Sequence, residues 1–92
     1  MSETAIRARI TGRVQGVSFR AWTKGRAEAL GLEGWVRNEV DGSVTALFGG
    51  APEAVAQMAR ALKEGPRWAR VDRVETAPAD IADIPPGFRI TQ

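Results

Sequence analysis

Gly12-Arg13-Val14-Gln15-Gly16-Val17-Ser18-Phe19-Arg20 is a glycine-punctuated stretch between two segments of different period. Before it, Ile6, Ala8 and Ile10 alternate with Arg7, Arg9 and Thr11, the two-residue repeat of a half-buried strand over residues 5–11. After it, Phe19, Thr23, Ala27 and Leu30 fall on one helical stripe with Trp22 beside it, while Lys24, Arg26 and Glu28 mostly face away and Gly31 supplies the stop. A tight loop between a strand and a helix N-terminus exposes backbone N–H groups that have no partner inside the helix. Such a loop suits a phosphate-like anion. Arg20 lies in the first helical turn, where a cation alone is on the wrong side of the helix dipole. A bound dianion would satisfy the amides and the guanidinium together.

Working outward, Gly34-Trp35-Val36-Arg37 and Val44-Thr45-Ala46-Leu47-Phe48 read as strands on either side of Asp41-Gly42, a strong hairpin dipeptide. Pro52 suits the first position of a second helix, in which Val55, Met58, Ala59 and Leu62 follow the i, i+3, i+4, i+7 pattern. Gly65-Pro66 ends it. Residues 70–77 read as a strand in which Val71 and Val74 are three apart, so a bulge or register shift is expected there. Ala79 to Pro86 reads as a loop and Phe88-Arg89-Ile90 as a short closing strand. The order β-α-β-β-α-β plus a terminal strand predicts an α+β fold: a two-layer sandwich of ferredoxin-like type, with an antiparallel-rich sheet and both helices on one face.

The chain has 92 residues, enough for one domain over 1–92 and too few for two. Cysteine and histidine are both absent, which removes thiolate chemistry, disulfides, the usual neutral-pH base and the commonest metal ligands. Tyrosine is absent as well. The net charge of +2 is too small an excess to argue for nucleic acid and fits a small anion better. No apolar leader and no membrane-length apolar run is present, so a cytoplasmic location and no membrane partner are expected.

Two separate motifs, in order, are similar to a known family. Gly12-Arg13-Val14-Gln15-Gly16-Val17 followed by Phe19-Arg20 resembles the signature of the acylphosphatases, and Gly34-Trp35-Val36-Arg37-Asn38 followed by Asp41-Gly42-Ser43-Val44 resembles their second signature. The resemblance continues through Ala27, Leu30-Gly31-Leu32, the helix after Gly49-Gly50, Gly65-Pro66 and the closing Phe88-Arg89-Ile90, nearly the whole chain. It implies hydrolysis of an acyl phosphate to a carboxylate and inorganic phosphate, with no metal and no other cofactor. It also implies Arg20 and Asn38 as catalytic residues, and a phosphate-binding loop of Gln15, Gly16, Val17, Ser18, Phe19 and Arg20. Inorganic phosphate is then expected as product and inhibitor, no nucleic acid as partner, and a monomer. Position 18, a serine here, varies in the family, and residues 80–86 depart from its pattern. Acylphosphatase-like domains also open large carbamoyl-transfer proteins, but the length of this chain points to a free-standing hydrolase.

The missing residue types agree with that chemistry. An acyl phosphate loses a carboxylate whose conjugate acid has a pKa of roughly 4, so no protonated side chain is needed for its departure. The tasks that remain are to hold the phosphoryl group, stabilise its charge and aim a water in line. A planar, permanently charged guanidinium at Arg20 suits the first two. The side-chain amide of Asn38 carries a donor and an acceptor, which suits it to position the water, although it is too weak a base to deprotonate it.

Blander readings stand beside these. Arg20 reads equally as a solvated helix residue paired with a carboxylate, and Asn38 alone reads as a hairpin-entry residue. Gly12 reads as a turn glycine, Ser18 as a helix cap, and Trp35 as core. Trp22 and Trp68 read as packing residues rather than walls of an acyl site, and Arg7, Arg9 and Arg13 as solvated.

Overall fold

The computed structural model describes residues 2–91. In chain order they form β1 (Thr4–Arg13), α1 (Phe19–Ala29), β2 (Glu33–Asn38), β3 (Val44–Gly50), α2 (Pro52–Glu64), β4 (Arg70–Ala79), one 3-10 turn (Ile81–Asp83) and β5 (Phe88–Ile90). The strands make one sheet in the order β4-β1-β3-β2-β5. All neighbours run antiparallel except β2 and β5, which are parallel. This is the predicted ferredoxin-like α+β architecture with its added terminal strand.

Alternation along β1 sends Ala8 and Ile10 to the helix-covered face, where register aligns them with Ala46 and Val44 of β3, and both pairs are fully buried. Val36 of β2 and Phe88 of β5 extend the same layer, and the Phe48 and Phe88 rings stack with centroids 5.5 Å apart. The helices close it with Phe19, Ala27, Val55, Met58 and Leu62, all buried. Burying one such large side chain stabilises the fold by roughly 1.5–3 kcal/mol, so this single layer supplies most of the driving force. On α2 the inward stripe takes Ala61 rather than Ala59, which is only half-buried. α1 ends as its sequence requires: the Gly31 N–H donates to Glu28 and the Leu32 N–H to Ala27, the paired bonds of a glycine-terminated helix.

The irregularity expected near Val71 is present. Thr11 pairs with Arg73 but Gly12 pairs with Val71, so Asp72 is the extra residue of a bulge. Gly12 is therefore a strand residue facing that bulge, not a turn glycine. Its φ is 125°, and a Cβ there would stand 2.1 Å from the Arg70 carbonyl oxygen.

The other sheet face carries Arg7, Leu47, Trp35 and Arg89 in one cross-strand row. Trp35 is thus on the outer face rather than in the core. It is half-buried between Arg37 and Arg7, whose guanidinium carbons lie 4.6 and 5.6 Å from its ring centroid. Residues 79–86, read as a loop, fold back over this outer face. Ala79 still belongs to β4, and the 3-10 turn follows, with the Asp80 carboxylate accepting from the Ala82 N–H at 2.9 Å. A Cβ on Gly49 would stand 2.6 Å from Cγ1 of Ile84 and 3.0 Å from Cδ1 of Ile81, so the absence of a side chain there lets this segment sit flat.

Candidate active site

β1 and α1 hold the 14–18 loop by its two ends, because Val14 and Phe19 are each only 1% exposed and anchored in the core. Between these anchors the backbone alternates in sign. Gly16 has φ 74° and Ser18 φ 62°, and Ser18 is the single non-glycine residue with positive φ among the described residues. Alternation of this kind turns successive N–H groups toward one point and forms an anion-binding concavity. A left-handed serine costs on the order of 1–2 kcal/mol, a strain that marks the loop as shaped for something other than stability. Ser18 occupies the N-cap position of α1 but its side chain makes no capping bond, so the expected cap is not formed. Its carbonyl accepts the Trp22 N–H at 3.0 Å instead. Among the described residues, the N–H groups of Gln15, Gly16, Val17, Ser18 and Phe19 donate no hydrogen bond to another part of the chain.

Asn38 is the last residue of β2, opposite Val44 of β3. Its Oδ1 is buried and has no hydrogen-bond partner among the described residues. A buried acceptor left in that condition costs about 1–3 kcal/mol, so it is a second place where stability is sacrificed locally. Asn38, Arg20, Gly16, Ser18 and Phe19 line one open cleft of about 340 Å³, together with Val14, Ala21 and Ile90. A second cleft of about 280 Å³, lined by Arg37, Asn38, Glu39 and Val40, shares Asn38 with the first. A larger hollow, about 480 Å³ between α1 and α2, is lined by Arg26, Gln57, Arg60 and Glu64 among others and contains none of the predicted site residues.

Two members of the predicted loop do not line the cleft. Val17 is half-buried and packs against the core. Gln15 turns its side chain away, and its Nε2 donates to the carbonyls of Glu39 at 2.8 Å and Ser43 at 2.9 Å. These two hydrogen bonds fasten the loop to the hairpin whose first strand ends at Asn38. The hairpin is fixed in turn by Asp41, whose Oδ1 accepts from the Ser43 hydroxyl at 2.6 Å and the Ser43 N–H at 2.9 Å. Arg9 reaches the other Asp41 oxygen at 2.6 Å and also approaches Glu75 at 3.5 Å, so Arg9 is ion-paired rather than merely solvated. The Ser43 hydrogen bonds, followed by the Arg9 guanidinium, hold the Asp41 carboxyl well below the usual carboxylate range. Glu39 is also lowered, first by its hydrogen bond from Arg37.

The chain is similar to known proteins over nearly its whole length. A family profile described as Acylphosphatase matches residues 6–90. The chain belongs to the acylphosphatase family. The acylphosphatase of Rhizobium meliloti is 56% identical over 88 residues, which cover 96% of this chain and 93% of that protein. Among solved structures, an acylphosphatase from Coxiella burnetii matches with a TM-score of 0.92 at 35% identity, covering 97% of this chain and 93% of the other. A full-length HypF in its phosphate- and nucleotide-bound form matches 99% of this chain but only 12% of its own length, with a TM-score of 0.87. At 22% identity that likeness concerns the fold alone.

Sequence reasoning overlooked Ile90 and Ala21, which this acylphosphatase-family chain places on the cleft wall. Ala21 was legible one residue beyond Arg20. Ile90 was not, because nothing local says that β5 lies parallel to β2. Trp22 is half-buried against Phe19 with ring centroids 5.5 Å apart, in keeping with a packing role. Trp68 is 74% exposed, so the packing reading fails for it. Among the described residues no three carboxylates gather to hold a metal ion, and no helix is long and apolar enough to cross a membrane.

Proposed function

We propose that the chain hydrolyses acyl phosphates to a carboxylate and inorganic phosphate by in-line attack of a water on the phosphoryl group. The observation that carries the reading is the joint lining of one cleft by the alternating-φ loop, Arg20 and Asn38, whose Oδ1 has no partner among the described residues. In this mechanism the loop N–H groups bind phosphoryl oxygens with no reorganisation, since their direction is set by the backbone before substrate arrives. Arg20 adds a forked, charge-assisted pair of donors. Asn38 Oδ1 accepts from the attacking water and orients it, because an unsatisfied buried acceptor gains the most from such a bond.

Asn38 does not take the water's proton. The chain offers no histidine, cysteine or tyrosine for that purpose. A phosphoryl oxygen of the substrate itself accepts the proton as the new P–O bond forms and the P–O bond to the acyl group breaks, its electron pair leaving with the carboxylate. Ser18 is not a nucleophile in this scheme, since no base adjoins it to activate its hydroxyl.

Replacing Arg20 by Gln and, separately, Asn38 by Ala tests the roles through benzoyl phosphate hydrolysis. Each substitution is expected to lower kcat by at least about 10²-fold, the scale for removing one preorganised donor or positioning group. Arg20→Gln is also expected to weaken inhibition by inorganic phosphate. Near-normal turnover in either variant removes that residue from the mechanism, and a phosphomonoester hydrolysed as well as an acyl phosphate removes the leaving-group argument.

A further inference from the structure

An acyl phosphate has a charged half and a carbon half, and the cleft is divided in the same way. The loop backbone, Arg20 and Asn38 account for its polar lining; Val14 and Phe19 are buried beneath it, which leaves Ala21 and Ile90 as carbon surface open to solvent. Ile90 is 41% exposed, whereas Phe88, two residues earlier on the same strand face, is 5% exposed. It is also held in place. Ile90 pairs with Val36 of β2, and the Thr91 N–H donates to the Val36 carbonyl at 2.9 Å. Asn38 lies two residues further along β2 on the same face, roughly 7 Å from Val36 at the rise of an extended strand and so about 8 Å diagonally from Ile90 on the neighbouring strand. A fixed, half-open aliphatic wall at that distance is within reach of the group attached to a phosphoryl centre beside Asn38.

We infer that Ile90, with Ala21, is the surface that contacts the acyl moiety, and that it favours apolar acyl groups over small or polar ones. The inference rests on the acyl phosphate reading given above. Because the wall is open on one side, the discrimination is modest, below the tenfold or more that an enclosed hydrophobic pocket gives for a single methylene.

The experiment compares kcat/KM for benzoyl and acetyl phosphate in the wild-type chain and in Ile90→Ser and Ile90→Phe, with inhibition by inorganic phosphate measured in parallel. Ile90→Ser is expected to lower the benzoyl-to-acetyl ratio about fivefold, and Ile90→Phe to raise it two- to threefold, with phosphate inhibition unchanged in both. The Phe variant carries the test should the Ser variant fail to fold. Unchanged ratios, or equal losses on both substrates, overturn this inference and leave the hydrolase reading standing. A wild-type chain that turns over neither substrate overturns both.

Discussion

Substituting Gln15 by Met keeps the length and flexibility of the side chain and removes both of its amide donors. In the folded protein these donors bond the Glu39 and Ser43 carbonyls at 2.8 and 2.9 Å. Neither carbonyl is orphaned by the change, since Glu39 O still accepts from the Gly42 N–H and Ser43 O from the Glu39 N–H. The loss is therefore two net hydrogen bonds without a full desolvation penalty, about 2 kcal/mol in all. For a domain of this size that corresponds to a fall in Tm of roughly 8–16 °C, read by thermal circular dichroism. The activity effect is separate from the stability effect. Gln15 fastens the 14–18 loop to the hairpin carrying Asn38, and in the proposed mechanism displacements of about 1 Å between such groups cost on the order of 10²-fold in rate. A partial loosening is expected to lower kcat about tenfold and to weaken phosphate inhibition at a temperature where the variant is fully folded. A Tm within about 2 °C of wild type would show that the bonds contribute nothing net. A normal kcat in a destabilised variant would show that the clamp is structural only.

Other outcomes are expected from the same structure. Thr23 is fully buried with its hydroxyl unpartnered among the described residues, so Thr23→Val should raise stability by about 1 kcal/mol, seen as a higher urea midpoint at constant m. Gly12→Ala forces a Cβ against the Arg70 carbonyl oxygen at positive φ, and chemical denaturation should show a loss of more than about 1 kcal/mol. The depressed Asp41 carboxyl contributes stability that is complete above its unfolded pKa, near 4, and is lost as the pH falls toward its lower folded value. The Tm gap between wild type and Asp41→Asn should thus be constant at neutral pH and narrow below about pH 4; a gap unchanged down to pH 2 would refute the linkage.

Periodicity made most of the fold legible, because β1, α1 and α2 each bury one face and their repeats differ. The bulge at Asp72 was legible for a related reason, since Val71 and Val74 cannot share a face in a regular strand. Trp35 was misplaced because hydrophobicity does not say which face of a strand an aromatic takes, and flanking arginines make the outer face hospitable to it. Ser18 was misread as a cap because its residue type favours capping while its backbone conformation is set by the loop around it. The meeting of Arg20 and Asn38 on one cleft came from motif resemblance, not from spacing. The contribution of Ile90 depends on a parallel strand pairing that only the tertiary structure discloses.

The irregular course of β4 has a consequence for how this protein meets its own copies. β4 is one of the two margins of the sheet and, at ten residues, leaves a long row of backbone groups open to pairing with a foreign strand. The extra residue at Asp72 breaks the spacing that such a strand would need to match. Arg70, Asp72, Arg73 and Glu75 place charges of both signs along the margin, and Pro78 withholds a donor near its end. The residue that twists β4 against Gly12 thus also makes the margin a poor template for aggregation.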